Sequence, residues 1–285
     1  MMTKSVIARL ALVVGLFSPA VSVFAADSVH NTMLTWYGHA AFKVVTPKGK
    51  VLVIDPWLTN PMNPDAKNGA DAAVAAVGNV DYILVTHGHF DHVSEAAALG
   101  KKTHAKLVTN FELGSAMVKY LGYPKDQAGM DTLGNTGGKI TTPDGEVEIN
   151  FVPAVHSSGL DTGKEGEIVY GGNPVGFVLV IKNGPTIYDT GDTAYFSDMD
   201  QIGKNFHPDV ALINIGGHFG MEPAQAAQAA SAVKAKLVIP HHYKTFPILT
   251  QDAGPFFRML DIRDIKHLEM KPGQTVTFEG TALKK

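Results

Sequence analysis

Cysteine is absent from all 285 residues. That excludes disulfides and thiolate ligands, so any metal bound by this chain must be held by His, Asp or Glu. Positive charge is also in short supply: 24 Lys and Arg face 27 Asp and Glu, a formal net charge of −3. With no basic stretch to track a phosphate backbone, nucleic acid is not an expected partner. Beyond the first residues no apolar run approaches the ~20 residues that a membrane-spanning helix needs. What is present, 45% hydrophobic and 18% charged residues, describes a globular chain long enough for a sizeable core.

The first residues stand apart. Lys4 and Arg9 precede an apolar stretch from Leu10 to Phe17, and Val23, Phe24 and Ala25 precede Ala26. That order of charged, apolar and small residues predicts a secretory signal over residues 1–25, cut after Ala25, and an exported, periplasmic protein with no membrane span left after cleavage. Its removal leaves 22 basic residues against 27 acidic ones, a net charge of −5.

Residues 26–285 read as one mixed α/β domain, since no linker, repeat or low-complexity segment divides them. "MLTWYGHAAFKVV" and "KVLVIDPWL" are expected as paired strands joined at "TPKGK". "NPMNPDAKNGADAAVAAVGN", rich in Asn, Pro, Gly and Ala, predicts a loop and short helix forming a lid or rim. Ser94 is the expected cap of a helix over "VSEAAALGKK", Asn183-Gly184 marks a hairpin turn, and Pro223 starts an Ala-rich helix.

Polar residues recur at the ends of apolar strands. "YILVT" runs into His87, His89, Asp91 and His92; "INFVPAV" into His156; "TIYDTG" into Asp192; "KLVIP" into His241 and His242. One such histidine would be ordinary. Four strand ends delivering imidazole and carboxylate predict a convergent site for zinc, manganese or iron, with more ligands than one tetrahedral ion needs. Two ions sharing a carboxylate would use them.

The segment "THGHFDH" has the H-x-H-x-D-H form of the metallo-β-lactamase superfamily. Together with "WYGHAAF", "LVIDPWLT", "VPAVHSS", "GDTAYFSDM", "LINIGGHFGMEP" and "VIPHHYKTFP", in that order, it resembles the UlaG-like metal-dependent hydrolases over roughly residues 33–280. The resemblance implies an αββα four-layer sandwich and two divalent ions, zinc first, with manganese and iron as alternatives. It places His87, His89 and His156 on one ion, Asp91, His92 and His242 on the other, and Asp192 between them. It also selects His242 over His241, which becomes a supporting or solvated neighbour.

These residues suit hydrolysis by a hydroxide bridging two ions, with Asp91 orienting it or taking its proton. The expected substrate is a small-molecule ester, lactone or phosphoester. Antibiotic hydrolysis is disfavoured, because the β-lactamases proper do not use the bridging aspartate. The alternatives are a lipid or nucleotide phosphodiesterase and a non-catalytic metal-binding protein; a homo-oligomer is compatible with the resemblance.

Other residues leave their roles open. His39 and His218 sit beside the expected site or pack elsewhere; Asp55 either orients a ligand histidine or starts an Asp-Pro turn. Trp57, Phe90, Phe219, Tyr243 and Phe246 either line a substrate pocket or belong to the core. His30, His104, His207 and His267 read as surface residues, and Ser157 and Ser158 as turn residues.

Overall fold

The computed structural model describes residues 31–284. The expected signal over residues 1–25 lies outside them, as does His30. The first part of the chain forms β1 (Thr32–Gly38), β2 (Ala41–Val45), β3 (Val51–Ile54), β4 (Tyr82–Leu84), β5 (Lys106–Asn110) and β6 (Leu133–Gly134). The second part forms β7 (Lys139–Thr141), β8 (Val147–Pro153), a hairpin of β9 (Gly159–Asp161) and β10 (Ile168–Tyr170), then β11 (Val175–Ile181), β12 (Thr186–Asp189), β13 (Val210–Asn214) and β14 (Leu237–His241). Last come β15 (Thr275–Glu279), which returns to pair with β1, and β16 (Ala282–Leu283), which pairs with β15 at the edge.

Two sheets result, in the orders β16-β15-β1-β2-β3-β4-β5-β6 and β14-β13-β12-β11-β8-β7. Their layering follows from the two-residue period of a strand. In β3, Leu52 and Ile54 enter the core between the sheets with Phe177, Leu179, Ile149 and Phe151. Val53, one residue out of phase, faces a separate outer core with Ile83 and Leu107.

Helices close both outer faces. On the first sheet lie α1 (Ala70–Val77), the short α2 (Phe90–Val93), α3 (Ala96–Thr103) and α4 (Phe111–Ala116); on the second lie α5 (Met199–Phe206), α6 (Pro223–Val233) and α7 (Gly254–Asp261). The buried face of α6 carries Ala226, Ala227, Ala229 and Ala230, small enough for a close approach to the sheet. The order helix, sheet, sheet, helix is the αββα sandwich that the resemblance implied. No described helix is long and apolar enough to cross a membrane.

Three local expectations need correction. "MLTWYGHAAFKVV" is two strands, because the chain turns at Gly38 and His39 into a β1–β2 hairpin before the expected turn at "TPKGK". The segment read as a lid instead packs Ala73, Val74 and Val77 into the outer core of the first sheet; its composition signalled a loop but not the surface it covers. Ser94 is not a cap: its hydroxyl donates back to the Phe90 carbonyl, and Glu95 precedes α3. The β11–β12 hairpin does turn at Asn183, whose φ of 60° is left-handed.

The packing between sheets carries the fold. Phe177 is fully buried in the core between them and meets its cross-strand neighbour Phe151 edge to face at 5.4 Å. Phe177→Ala should lower the unfolding free energy by about 3–5 kcal/mol, the cost of the lost transfer energy and the cavity left behind, measured by denaturant titration.

Candidate metal centre

Every predicted ligand lies at the same edge of the two sheets, past the ends of β4, β8, β12 and β14, with Asp91 and His92 in the short α2 and the others in loops. Short parallel neighbours make this geometry, since β3, β4 and β5 run parallel, as do β12, β13 and β14. Their C-terminal ends share one side, where open α/β sheets place their sites. The two sheets are joined there by a hydrogen bond from the Val175 amide to the Thr86 carbonyl at 3.0 Å.

Two groups of ligand atoms form. His87, His89 and His156 bring one nitrogen each within 4.8 Å of one another, and Asp91, His92 and His242 do the same together with His39. Asp192 lies between the groups. Its Oδ2 stands 2.9 Å from His242 Nε2, 3.6 Å from His92 Nε2 and 3.8 Å from His156 Nε2. His87 Nε2 and His89 Nδ1 are 2.9 Å apart. Nitrogen ligands at ordinary zinc distances around a tetrahedral ion are roughly 3.3 Å apart, so these separations bracket what a shared cation needs.

The hydrogen bonds behind the ligands fix which nitrogen faces inward. Asp55 accepts from the Thr86 amide at 2.8 Å, the Thr86 hydroxyl at 2.6 Å and His92 Nδ1 at 2.7 Å. With its proton committed to Asp55, the Thr86 oxygen accepts from His87 Nδ1 at 3.0 Å. One carboxylate therefore sets two tautomers and turns the Nε2 lone pairs of His87 and His92 toward the centre. Asp55 is thus more than a turn residue. Ser157 faces His89 Nε2 at 3.3 Å, leaving Nδ1 on the inner side, and Asn214 donates to Asp192 Oδ1 at 2.8 Å.

Buried polar atoms left without a hydrogen bond test whether a cation fits. His92 Nε2, His156 Nε2 and both nitrogens of His242 are such atoms, and the Nε2 atoms of all three surround Asp192 Oδ2. Orphaned imidazole nitrogens around a carboxylate match a divalent ion. His39 is different. Its Nδ1 meets Thr245 Oγ1 at 2.6 Å and its Nε2 meets Asp91 Oδ2 at 3.0 Å, so both nitrogens are already engaged. It holds Asp91 in place. His39, Asp55 and His242 adopt left-handed φ values of 50°, 43° and 61°, an uncommon conformation for non-glycine residues and one that collects at functional sites.

The electrostatics suit ligation. Burial holds His87, His89 and His156 below the usual histidine range, which keeps them neutral. Burial would raise Asp192, but His242 and His92 outweigh it and hold the carboxyl well below its usual value. Burial would likewise lower His92, yet Asp55 and Asp192 together raise it well above the usual range. His39, depressed to about 3 by burial and by His242, stays neutral.

His241 is neither solvated nor a ligand. Fully buried, it packs against Phe42 at 5.8 Å and faces Thr190 Oγ1 at 3.5 Å. His218, His104 and His207 are exposed, and His267 bonds Asp261. Tyr243 stacks on Trp36 in the core. Ser158 does more than shape a turn: it accepts from the Gly88 amide and donates to the Gly171 carbonyl, tying the β9–β10 hairpin to the histidine loop. That hairpin escaped the sequence reading, because "GLDTGKEGEIVY" has only three strand residues on each side of a charged turn.

Two outcomes follow. His92 is held well above its usual value and must lose its proton before Nε2 can ligate; zinc affinity should therefore keep rising with pH beyond the ordinary histidine range, with protons released on binding, measured by calorimetry in buffers of different ionisation heat. Asp55→Asn puts an amide donor against a donor of Thr86 or His92 and should weaken metal binding about 10- to 100-fold in competition titrations.

Known proteins match this chain in sequence and in fold. The family described as the beta-lactamase superfamily domain covers residues 50–243. A UPF0173 metal-dependent hydrolase of Thermodesulfovibrio yellowstonii is 48% identical over 251 residues, 87% of this chain and 92% of that one. Another, of Anaeromyxobacter sp. (strain K), is 54% identical over 250 residues, 87% of each chain. Among solved structures, the metallo hydrolase Igni18 of Ignicoccus hospitalis superimposes with a TM-score of 0.74 at 31% identity, over 87% of this chain and 99% of that one. The UlaG-like placing is compatible with these relatives. The chain belongs to the metallo-β-lactamase superfamily and is one of its metal-dependent hydrolases.

Proposed function

We propose that this protein is exported to the periplasm and uses two divalent ions, zinc in the first instance, to hydrolyse an ester, lactone or phosphoester of a small molecule. The observation that carries the reading is Asp192 Oδ2, buried between a group of three histidines and a group of two histidines with Asp91. His87, His89 and His156 would hold one ion and Asp91, His92 and His242 the other, with Asp192 shared. Bound there, the ions would supply Lewis acidity and an activated water at neutral pH.

The protein's own groups define the rest of the chemistry. Burial would raise Asp91, but the hydrogen bond from His39 and the nearby His92 hold it well below the usual carboxylate range. Such a carboxylate is a weak base at neutral pH. Its part is to orient the attacking water, while Asp55 and Asn214 keep the ligands from rotating. A cavity lined by His89, Asp91, His156, Asp192 and His242 lies over these groups and gives a small molecule room to reach them.

Asp192→Ala separates this reading from a non-catalytic metal-binding protein. Elemental analysis should give close to two ions per wild-type chain and fewer in the variant, and hydrolysis of a lactone, ester and phosphodiester panel should fall about 100-fold or more, with the fold retained by circular dichroism. A wild-type chain without metal, or activity unaffected by losing Asp192, overturns the site. Two bound ions with no turnover of any substrate support the binding protein instead.

A further inference from the structure

The cavity over the histidines has a volume of about 690 Å³, within the range of small-molecule sites. Apart from Asp161, its polar side chains are the histidines and aspartates of the floor. Phe90, Ile168, Phe219, Phe246, Pro247 and Ile248 make the walls. They come from four separate segments: the start of α2, the strand β10, the loop between β13 and α6, and the loop after β14.

These walls are built, not incidental. Phe246 stacks on Trp57 at 5.3 Å and 14°, Phe90 meets both rings edge to face, and Trp57 rests on His39 at 4.9 Å. That aromatic group fixes one wall directly on the residue that holds Asp91. Several lining side chains are nonetheless open to water: Ile168 is 71% exposed, and Phe90, Phe219 and Ile248 are each 55% exposed. Apolar side chains from separate segments left bare around one cavity mark a surface for an apolar ligand.

Charge points the same way. No Lys or Arg occurs among the described residues lining the cavity, and the charged group at its mouth is Asp161, whose carboxylate accepts from the Gly163 amide. Lys164 pairs with Glu167, and Lys244 with Glu269. A phosphodiester is ordinarily recognised by guanidinium, ammonium or clustered amide donors. Beyond the ions that the floor would hold, it would meet only hydrocarbon and a carboxylate, with no cationic side chain to take its second oxygen.

We propose that the site takes an uncharged ester or lactone whose acyl or alkyl body fills the apolar walls, and does not serve phosphodiesters. The assignment rests on the hydrolase reading and narrows it. In the reaction, water oxygen bonds to the acyl carbon, the acyl C–O bond breaks, and a water proton passes to the leaving alkoxide, giving a carboxylic acid and an alcohol.

The test uses the metal-loaded full chain and p-nitrophenyl esters from acetate to octanoate, with the ω-carboxylate analogue of the octanoate ester and bis(p-nitrophenyl) phosphate beside them. Each added methylene should raise kcat/KM about three- to fourfold, mainly through KM, until the cavity is filled. The ω-carboxylate ester should fall about 100-fold below its uncharged counterpart, because it buries an unpaired charge. Ile248→Asp and Phe219→Asp, changes at exposed positions, should flatten the series. Calorimetric binding of butyramide, hexanamide and octanamide supplies a readout without turnover and should tighten by the same factor per methylene.

Esters cleaved with a flat chain-length profile would overturn the assignment and leave the hydrolase standing. So would greater acceleration of the phosphodiester than of the octanoate ester, each measured against its spontaneous rate. Tight octanamide binding with no ester cleaved would instead defeat the hydrolase reading itself, and the substrate class with it.

Discussion

The site depends on the placing of two carboxylates that are almost wholly shut off from water. Asp55 and Asp192 lie on opposite sides of His92, and a carboxylate removed from water is costly unless hydrogen bonds and cations answer its charge. Asp55 is answered by Thr86 and His92, all within the first sheet and its loop. Asp192 is answered by Asn214, His242 and His92, which draw on both sheets. His92 thus ties a structural carboxylate to a functional one. Displacing either acid would turn the ring.

The division between scaffold and site follows from this. Strands β3, β4, β12, β13 and β14 are apolar on both faces because each is covered twice, by the opposite sheet and by helices. Only where those strands end can polar groups be satisfied, so the functional residues collect on one edge. The aromatic wall is continuous with this arrangement: Trp57 follows β3 as Asp55 does, and touches the imidazole that restrains Asp91.

Much of this was legible before any coordinates. Residues such as His87 and Asp192 stood out because each follows an apolar strand of recognisable length, and a strand end has a predictable position. His39 and Asp55 were harder to assign, because a histidine in a tight turn and an Asp-Pro step have ordinary explanations and their partners are remote in sequence. Thr245 lies beyond β14, and His92 in α2. His241 was partly misread: its neighbour turns out of the strand at a left-handed φ, which carries His242 into the site and leaves His241 in the core. The segment around Ala70–Val77 shows a further limit, since composition announces a loop without naming the surface it will cover.

The pairing of β15 with β1 joins Thr32 to Phe278, near the two ends of the domain. The ligands all precede β15, the last of them being His242. A chain emerging in order therefore has every candidate ligand in hand before its first strand can find its outer partner. Completion of the first sheet is consequently a step of high contact order, and until it is made β1 presents an open edge.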